Sequence, residues 1–120
     1  MVDGTGFDFR TSRPVEGTFD HNFCLANLRR DLAPVAQLSS PRSRLSMQVS
    51  TTEPGLQLYT GQGLTGGGSS HGGHGSGPFA GICLEPQSWP DAPNNASFPS
   101  IDLAPGERYQ QVSEFAFSQR

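Results

Sequence analysis

Leu45, Met47 and Val49 alternate with Ser46, Gln48 and Ser50, the period of two expected of a strand with one buried face. Shorter stretches of the same kind run from Phe23 to Leu28, Leu56 to Thr60, Phe79 to Glu85 and Tyr109 to Phe117. Pro34, Pro41, Pro54, Pro86, Pro90, Pro93, Pro99 and Pro105 punctuate the spaces between them, because a proline cannot donate to a sheet ladder. No segment carries a persuasive helical period; Arg29 to Leu32 has room for a single helical turn. From Gly61 to Gly77 the chain becomes a Gly/Ser/His run with almost no apolar residue. Strand-like sequence resumes at Phe79, so this run is expected to be a loop within one domain spanning 1–120 rather than a linker between two. The pattern predicts an all-β fold without internal repeats.

Alternation also sorts polar residues onto faces. In an extended strand, residues two apart share a side. Glu85 then lies with Cys83, Gly81 and Phe79, opposite Leu84, Ile82 and Ala80. Gln57 lies opposite Leu56 and Leu58, and Asp20 with Asn22 lies opposite His21 and Phe23. Three strands each offer one apolar face and one face bearing Asp, Gln or Glu, although burying such groups without partners is costly. If the polar faces converge, they form a concave site of two carboxylates and an amide, with Phe79, Tyr59 or Trp89 as aromatic walls. That chemistry suits a sugar, whose hydroxyls both donate and accept and whose C–H faces stack on rings. The spacing alone is met more simply by a turn residue at Asp20, a solvated Gln57 on an edge strand and an exposed Glu85, so the pattern by itself does not decide the function.

Composition narrows the field. With 120 residues, 33% of them hydrophobic, 15 Gly and 10 Pro, the chain has little material for an independent core. A net charge of −3 with few, scattered basic residues gives no reason to expect nucleic acid or an anionic membrane as partner. No apolar run approaches the ~20 residues of a membrane span, and Met1-Val2-Asp3-Gly4 opens neither a basic region nor an apolar leader; a cytoplasmic protein is expected. In that setting Cys24 and Cys83 are expected to be reduced thiols, and the sequon Asn95-Ala96-Ser97 carries no weight.

Three separated blocks, Asp20-His21-Asn22-Phe23, Gln57-Leu58-Tyr59-Thr60-Gly61 and Leu84-Glu85-Pro86-Gln87, resemble the C-terminal part of the aldose 1-epimerase, or galactose mutarotase, family, in the family's order. The likeness runs from about Gly6-Phe7-Asp8-Phe9-Arg10 through Pro105-Gly106-Glu107 to near Phe117. It implies the C-terminal part of a galactose mutarotase-like β-supersandwich, incomplete as a stand-alone domain. It also implies a cofactor-free interconversion of α and β anomers of an aldohexose such as glucose or galactose. Carried over residue by residue, Glu85 is the catalytic base, while Asp20 and Gln57 contact substrate hydroxyls. The family's acid is a histidine of its N-terminal half, supported by another histidine and an arginine, and no such motif occurs in these residues. His21 faces away from Asp20 and does not replace it. Gln62 stands where the family usually has Asn, and the run from Gly66 to Gly77 replaces a more regular segment. A non-catalytic carbohydrate-binding β-domain and an inactive truncated fragment are the competing expectations.

Two weaker motifs lead elsewhere. Gly61-Gln62-Gly63-Leu64-Thr65-Gly66 matches G-x-G-x-x-G, but the dinucleotide reading needs a helix to start there, and Gly67-Gly68-Ser69-Ser70 follows instead. His71 and His74 lack the further ligands that a metal site requires, so neither a metal nor another cofactor is expected. Strands with uncovered edges favour pairing between chains. The isolated 120 residues are therefore expected to self-associate or precipitate, and sedimentation velocity checks this: a monomer that melts cooperatively is the contrary result.

Overall fold

The computed structural model describes residues 1–66 and 75–119. Its strands are β1 (Asp20–Cys24), β2 (Ala33–Ser39), β3 (Leu45–Thr51), β4 (Gly55–Tyr59), β5 (Cys83–Gln87) and β6 (Ser113–Gln119). They form two three-stranded sheets, ordered β1-β4-β5 and β2-β3-β6, with every pairing antiparallel. Among the described residues the one helical element is a 3₁₀ turn at Ala92–Asn94, and no helix is long and apolar enough to cross a membrane. The all-β expectation holds, and Arg29–Leu32, which has room for a helical turn, contains instead a bend at Asp31 and Leu32.

Two strands run through prolines that the sequence pattern sets between strands. Pro86 lies inside β5, opposite Leu56, and Pro34 lies inside β2 beside an irregularity that skips Val35. Both strands are sheet edges, where a residue without an N–H leaves no ladder bond unmade. The strand expected over Phe79–Glu85 accordingly runs over Cys83–Gln87, and Phe79 has a left-handed backbone (φ 62°) that breaks any alternation linking it to Glu85. Phe23–Leu28 is replaced by Asp20–Cys24, because the chain leaves the sheet at Leu25, whose N–H, like that of Ala26, donates to the Pro54 carbonyl. Tyr109–Phe117 shifts to Ser113–Gln119.

Each sheet has an apolar side. On β2-β3-β6 the cross-strand rows Leu38–Met47–Phe117 and Ala36–Val49–Phe115 share a face. On β1-β4-β5 the rows are His21–Leu58–Leu84 and Phe23–Leu56–Pro86. The N-terminal segment covers part of the second face: the Phe7 ring meets His21 edge-on at 4.8 Å, and Phe9 meets Phe19 and Phe23 at 5.4 and 6.0 Å. Arg10 clips this segment to itself by donating to Asp8 and Asp3, and those hydrogen bonds hold the Asp8 carboxyl down at about 2. A cavity of about 290 Å³ remains between the sheets, lined by Phe9, Phe23, Val35, Leu56, Leu58 and Leu84 among others. The chain exposes 8684 Å², against roughly 6,300 Å² for a compact monomer of this size. Phe115, and Phe117 at 63% exposure, account for part of the excess.

The chain crosses between sheets at Thr52-Glu53-Pro54, and this corner is the most buried part of the molecule. Glu53 is fully buried. Its carboxylate is paired with Arg29 Nε at 3.1 Å and accepts from Ser88 Oγ and Tyr109 Oη, each at 3.3 Å. Arg29 also stacks over the Tyr109 ring, 3.8 Å from its centroid. Next along the chain, the Pro54 carbonyl accepts from Trp89 Nε1 at 2.9 Å, and Trp89 in turn packs edge-on against Phe98. Segments following β1 and β5 and preceding β6 are thus gathered at the β3–β4 corner. Burial, with the Glu53 charge second, pushes the Tyr109 phenol up. Its contribution to stability is therefore complete below the ordinary phenol value of ~10 and is lost as pH rises through the higher folded value.

Arg29→Ala leaves a buried carboxylate without its cation and is expected to destabilise the fold by about 3–5 kcal/mol. The exposed Arg42→Ala should change it by no more than about 0.5 kcal/mol. Urea unfolding of the two variants checks this; equal midpoints would be the contrary result.

Candidate active site

Register decides whether the three polar residues meet. Asn22 pairs with Gln57 and Gln57 with Glu85, while Asp20 pairs with Tyr59 and Tyr59 with Cys83. One face of the β1-β4-β5 sheet therefore carries three rows: Asp20–Tyr59–Cys83, Asn22–Gln57–Glu85 and Cys24–Gly55–Gln87. The expected convergence of Asp20, Gln57 and Glu85 on one face is what the strands produce. Gln57, on the central strand, is the hinge between the two carboxylates. Its Nε2 donates to Asp20 Oδ1 at 2.7 Å, and it stands directly opposite Glu85, where facing side chains are ~5 Å apart. Asp20 and Glu85 are two strands apart, roughly 10 Å across the sheet, so the face can span a ligand the size of a hexose ring.

Asp20 and Glu85 are exposed and Gln57 is half-buried. Among the described residues no basic side chain is paired with either carboxylate, which leaves both free to accept from a ligand. The inter-sheet cavity is on the opposite, apolar side of these strands, since its lining takes Phe23, Leu56, Leu58 and Leu84 from them. It belongs to the core rather than to this face.

His21 is on the far face as expected: its Nδ1 accepts the Asp20 N–H at 3.1 Å and its ring packs among Phe7 and Phe19. His71 and His74 lie outside the described residues, as does the middle of the Gly/Ser/His run. At the ends of that run the Phe79 N–H donates to the Gly61 carbonyl at 2.8 Å, and a Cβ built at Gly66 would lie 3.7 Å from Gly77. The two ends therefore meet as the connection between β4 and β5. Of the expected aromatic walls, Tyr59 stands on the polar face and its hydroxyl accepts the Gly63 N–H at 2.8 Å. Trp89 is committed to Pro54 and Phe98. Cys24 and Cys83 are free and exposed, at opposite corners of the three rows, well beyond the ~7 Å Cα separation a disulfide tolerates.

Sequence reasoning placed Asn22 beside Asp20 without giving it a role, and it missed Gly55 and Gln87. Gln87 Nε2 donates to Asn22 Oδ1 and to Gln57 Oε1, each at 3.3 Å. Gly55 makes this reach possible: a Cβ there would come within 2.6 Å of Asn22 Oδ1, closer than real Cβ atoms approach, and within a tight 3.0 Å of the Gln87 carbonyl. The signal available in sequence was parity, since 55, 57 and 59 share a face as do 83, 85 and 87; what parity lacks is the register across strands.

Comparison with known proteins places this geometry. The family model described as aldose 1-epimerase matches residues 1–116. The chain is 43% identical to galactose mutarotase of Bos taurus over 129 residues, covering 98% of the chain and 36% of that protein. It is 39% identical to galactose mutarotase of Homo sapiens over 127 residues, with the same coverage, and 34% identical to aldose 1-epimerase of Escherichia coli over 130 residues, covering 97% and 37%. A crystal structure of the GalM/aldose epimerase homologue from C. elegans superposes with a TM-score of 0.82 at 25% identity, covering 98% of this chain and 38% of that one. The chain thus spans little more than a third of the length of the relatives it matches.

Proposed function

Because the chain belongs to the aldose 1-epimerase family, we propose that the polar face of β1-β4-β5 is the sugar-binding wall of a mutarotase, with Glu85 as base and Asp20 and Gln57 as hydroxyl contacts. The observation that carries this reading is the register: Gln57 is bonded to Asp20 and lies directly opposite Glu85. Mutarotation needs a base to take the proton of the anomeric hydroxyl and an acid to protonate the ring oxygen. The ring then opens, the aldehyde end rotates, and closure on the other face inverts the anomeric centre. Nothing is oxidised or reduced. The Glu85 carboxylate, exposed and without a basic partner among the described residues, can receive that proton. Asp20 Oδ2 accepts from a hydroxyl, and the second Nε2 hydrogen of Gln57 is free to donate to one.

The proton donor is a separate matter. No histidine among the described residues stands on this face, and His21 is occupied on the other side. In this reading the chain supplies the base and part of the sugar site, and the acid comes from outside the described face. The same observation supports a second reading, a carbohydrate-binding face without catalysis.

Polarimetry of freshly dissolved α-D-glucose or α-D-galactose separates the two. The 120 residues alone are expected to accelerate relaxation little or not at all. A chimera in which residues 1–116 replace the matched segment of the E. coli enzyme is expected to be active. In that chimera Glu85→Gln should lower kcat at least ~10²-fold with a much smaller change in KM. Gln57→Ala and Asp20→Asn should chiefly raise KM, by roughly 5-fold and 10-fold, as expected for one neutral and one charged hydrogen bond. Asp20→Asn also lowers kcat if its contact fixes the reactive pose. Near-normal kcat in Glu85→Gln would mean that the base is another residue.

A further inference from the structure

We propose that Gln87 is a positioning residue of this face: its amide, reaching over Gly55, passes to Asn22 the donor–acceptor direction that the Asp20 carboxylate imposes on Gln57. The inference deepens the proposed function, on which its kinetic readout rests. An ionised carboxylate only accepts, so Asp20 requires Gln57 to turn its Nε2 toward it, at 2.7 Å. Gln57 Oε1 must then point the other way, toward Gln87, which can meet it only with Nε2. The second hydrogen of that nitrogen goes to Asn22 Oδ1. Three amides on three strands are thereby set in one sense from a single anchor.

The consequence is a defined pattern for the ligand. The carbonyl oxygens of Gln57 and Asn22 are both turned toward Gln87. What is directed outward is one amide donor on Gln57 and one on Asn22, whose Nδ2 has, among the described residues, only the distant Cys24 Sγ at 3.9 Å as partner. The Gln57 donor lies between the two carboxylate acceptors, Asp20 on β1 and Glu85 on β5, and the Asn22 donor sits beside Asp20 on β1. A sugar is therefore held with one hydroxyl oxygen accepting at the middle of the face, another accepting at its β1 edge, and hydroxyl hydrogens directed to Asp20 and Glu85. Neither amide can swing round to offer a carbonyl instead while Gln87 remains in place. Gly55 is part of the device, because any side chain there collides with the Asn22 amide.

Three variants in the chimera test this. Gln87→Met removes the donor with little change in volume, and Gly55→Ala blocks the bridge while leaving every polar group intact. Each should raise KM about 3–10-fold, as expected for lost hydrogen bonds, with kcat within about 3-fold of normal. The double variant should be no worse than the stronger single, since both break one bridge. Gln87→Glu replaces a double donor by an acceptor, so Asn22 turns its NH₂ group inward and presents its carbonyl, while Gln57, held by Asp20, is left with its carbonyl oxygen against a carboxylate; its KM should exceed that of Gln87→Met. A packing role for Gln87 predicts instead similar KM values for the Met and Glu variants, or additive effects with Gly55→Ala, and either result overturns the proposal. A readout independent of catalysis uses the same chimera: Asp20→Asn should shift the side-chain amide ¹⁵N–H signals of Gln87, two strands away on β5, and leave those of Asn94 and Asn95 in place. An unmoved Gln87 signal overturns the proposal even if Glu85→Gln abolishes turnover, and normal turnover in Glu85→Gln overturns the base assignment without touching the network.

Discussion

A carboxylate without water, Glu53, holds this structure in its working arrangement. It occupies the corner at which the chain passes from one sheet to the other, and it draws Arg29, Ser88 and Tyr109 to itself from three other segments. Desolvating a carboxylate is expensive and is offset only by an ion pair and hydrogen bonds of good geometry, so these partners are bound to the corner by the cost of leaving it. The adjacent Pro54 carbonyl takes three more donors, Leu25, Ala26 and Trp89. β4 begins one residue later. The start of the central strand is thus fixed from both sides, and with it the register that sets Gln57 between Asn22 and Glu85.

From that start the functional face follows by geometry. Period two puts Gly55, Gln57 and Tyr59 on one side of β4, and antiparallel pairing on both edges brings Asp20 and Asn22 from β1 and Cys83, Glu85 and Gln87 from β5 to the same side. The other side is apolar and faces the core. One strand therefore turns Leu56 and Leu58 to the core and Gly55, Gln57 and Tyr59 to the polar face. The same alternation keeps His21 off the polar face: it is on β1 at the other parity, and its ring is packed among phenylalanines.

The face assignment was legible because it depends only on alternation, and the alternation of Leu56-Gln57-Leu58 and Leu84-Glu85-Pro86 is unambiguous. Strand limits were less so, because the role of a proline depends on whether its strand is an edge, and edge position is a property of the assembled sheet. β2 leaves no alternation in the sequence, since the irregularity at Val35 breaks its period and Pro34 lies inside it. The burial of Glu53 left no trace in the pattern, since a lone glutamate before a proline looks like a solvated turn until Arg29, Ser88 and Tyr109 are brought around it. Gln87 and Gly55 were hidden for the same reason, as the bridge exists only between strands. The proposed roles of Glu85 as base and of Asp20 and Gln57 as contacts rest on the likeness of three short blocks to a known family, which no periodicity could have supplied.

The central claim is that a sugar binds on the polar face of β1-β4-β5 and not in the inter-sheet cavity. Titration of the ¹⁵N-labelled E. coli chimera with D-galactose, observed through the side-chain amides of asparagine and glutamine, tests it directly. The account predicts shifts at Asn22, Gln57 and Gln87 with none at Gln37 and Gln48 of the second sheet. Shifts at Gln37, which borders the cavity, with Asn22, Gln57 and Gln87 unmoved, would contradict it.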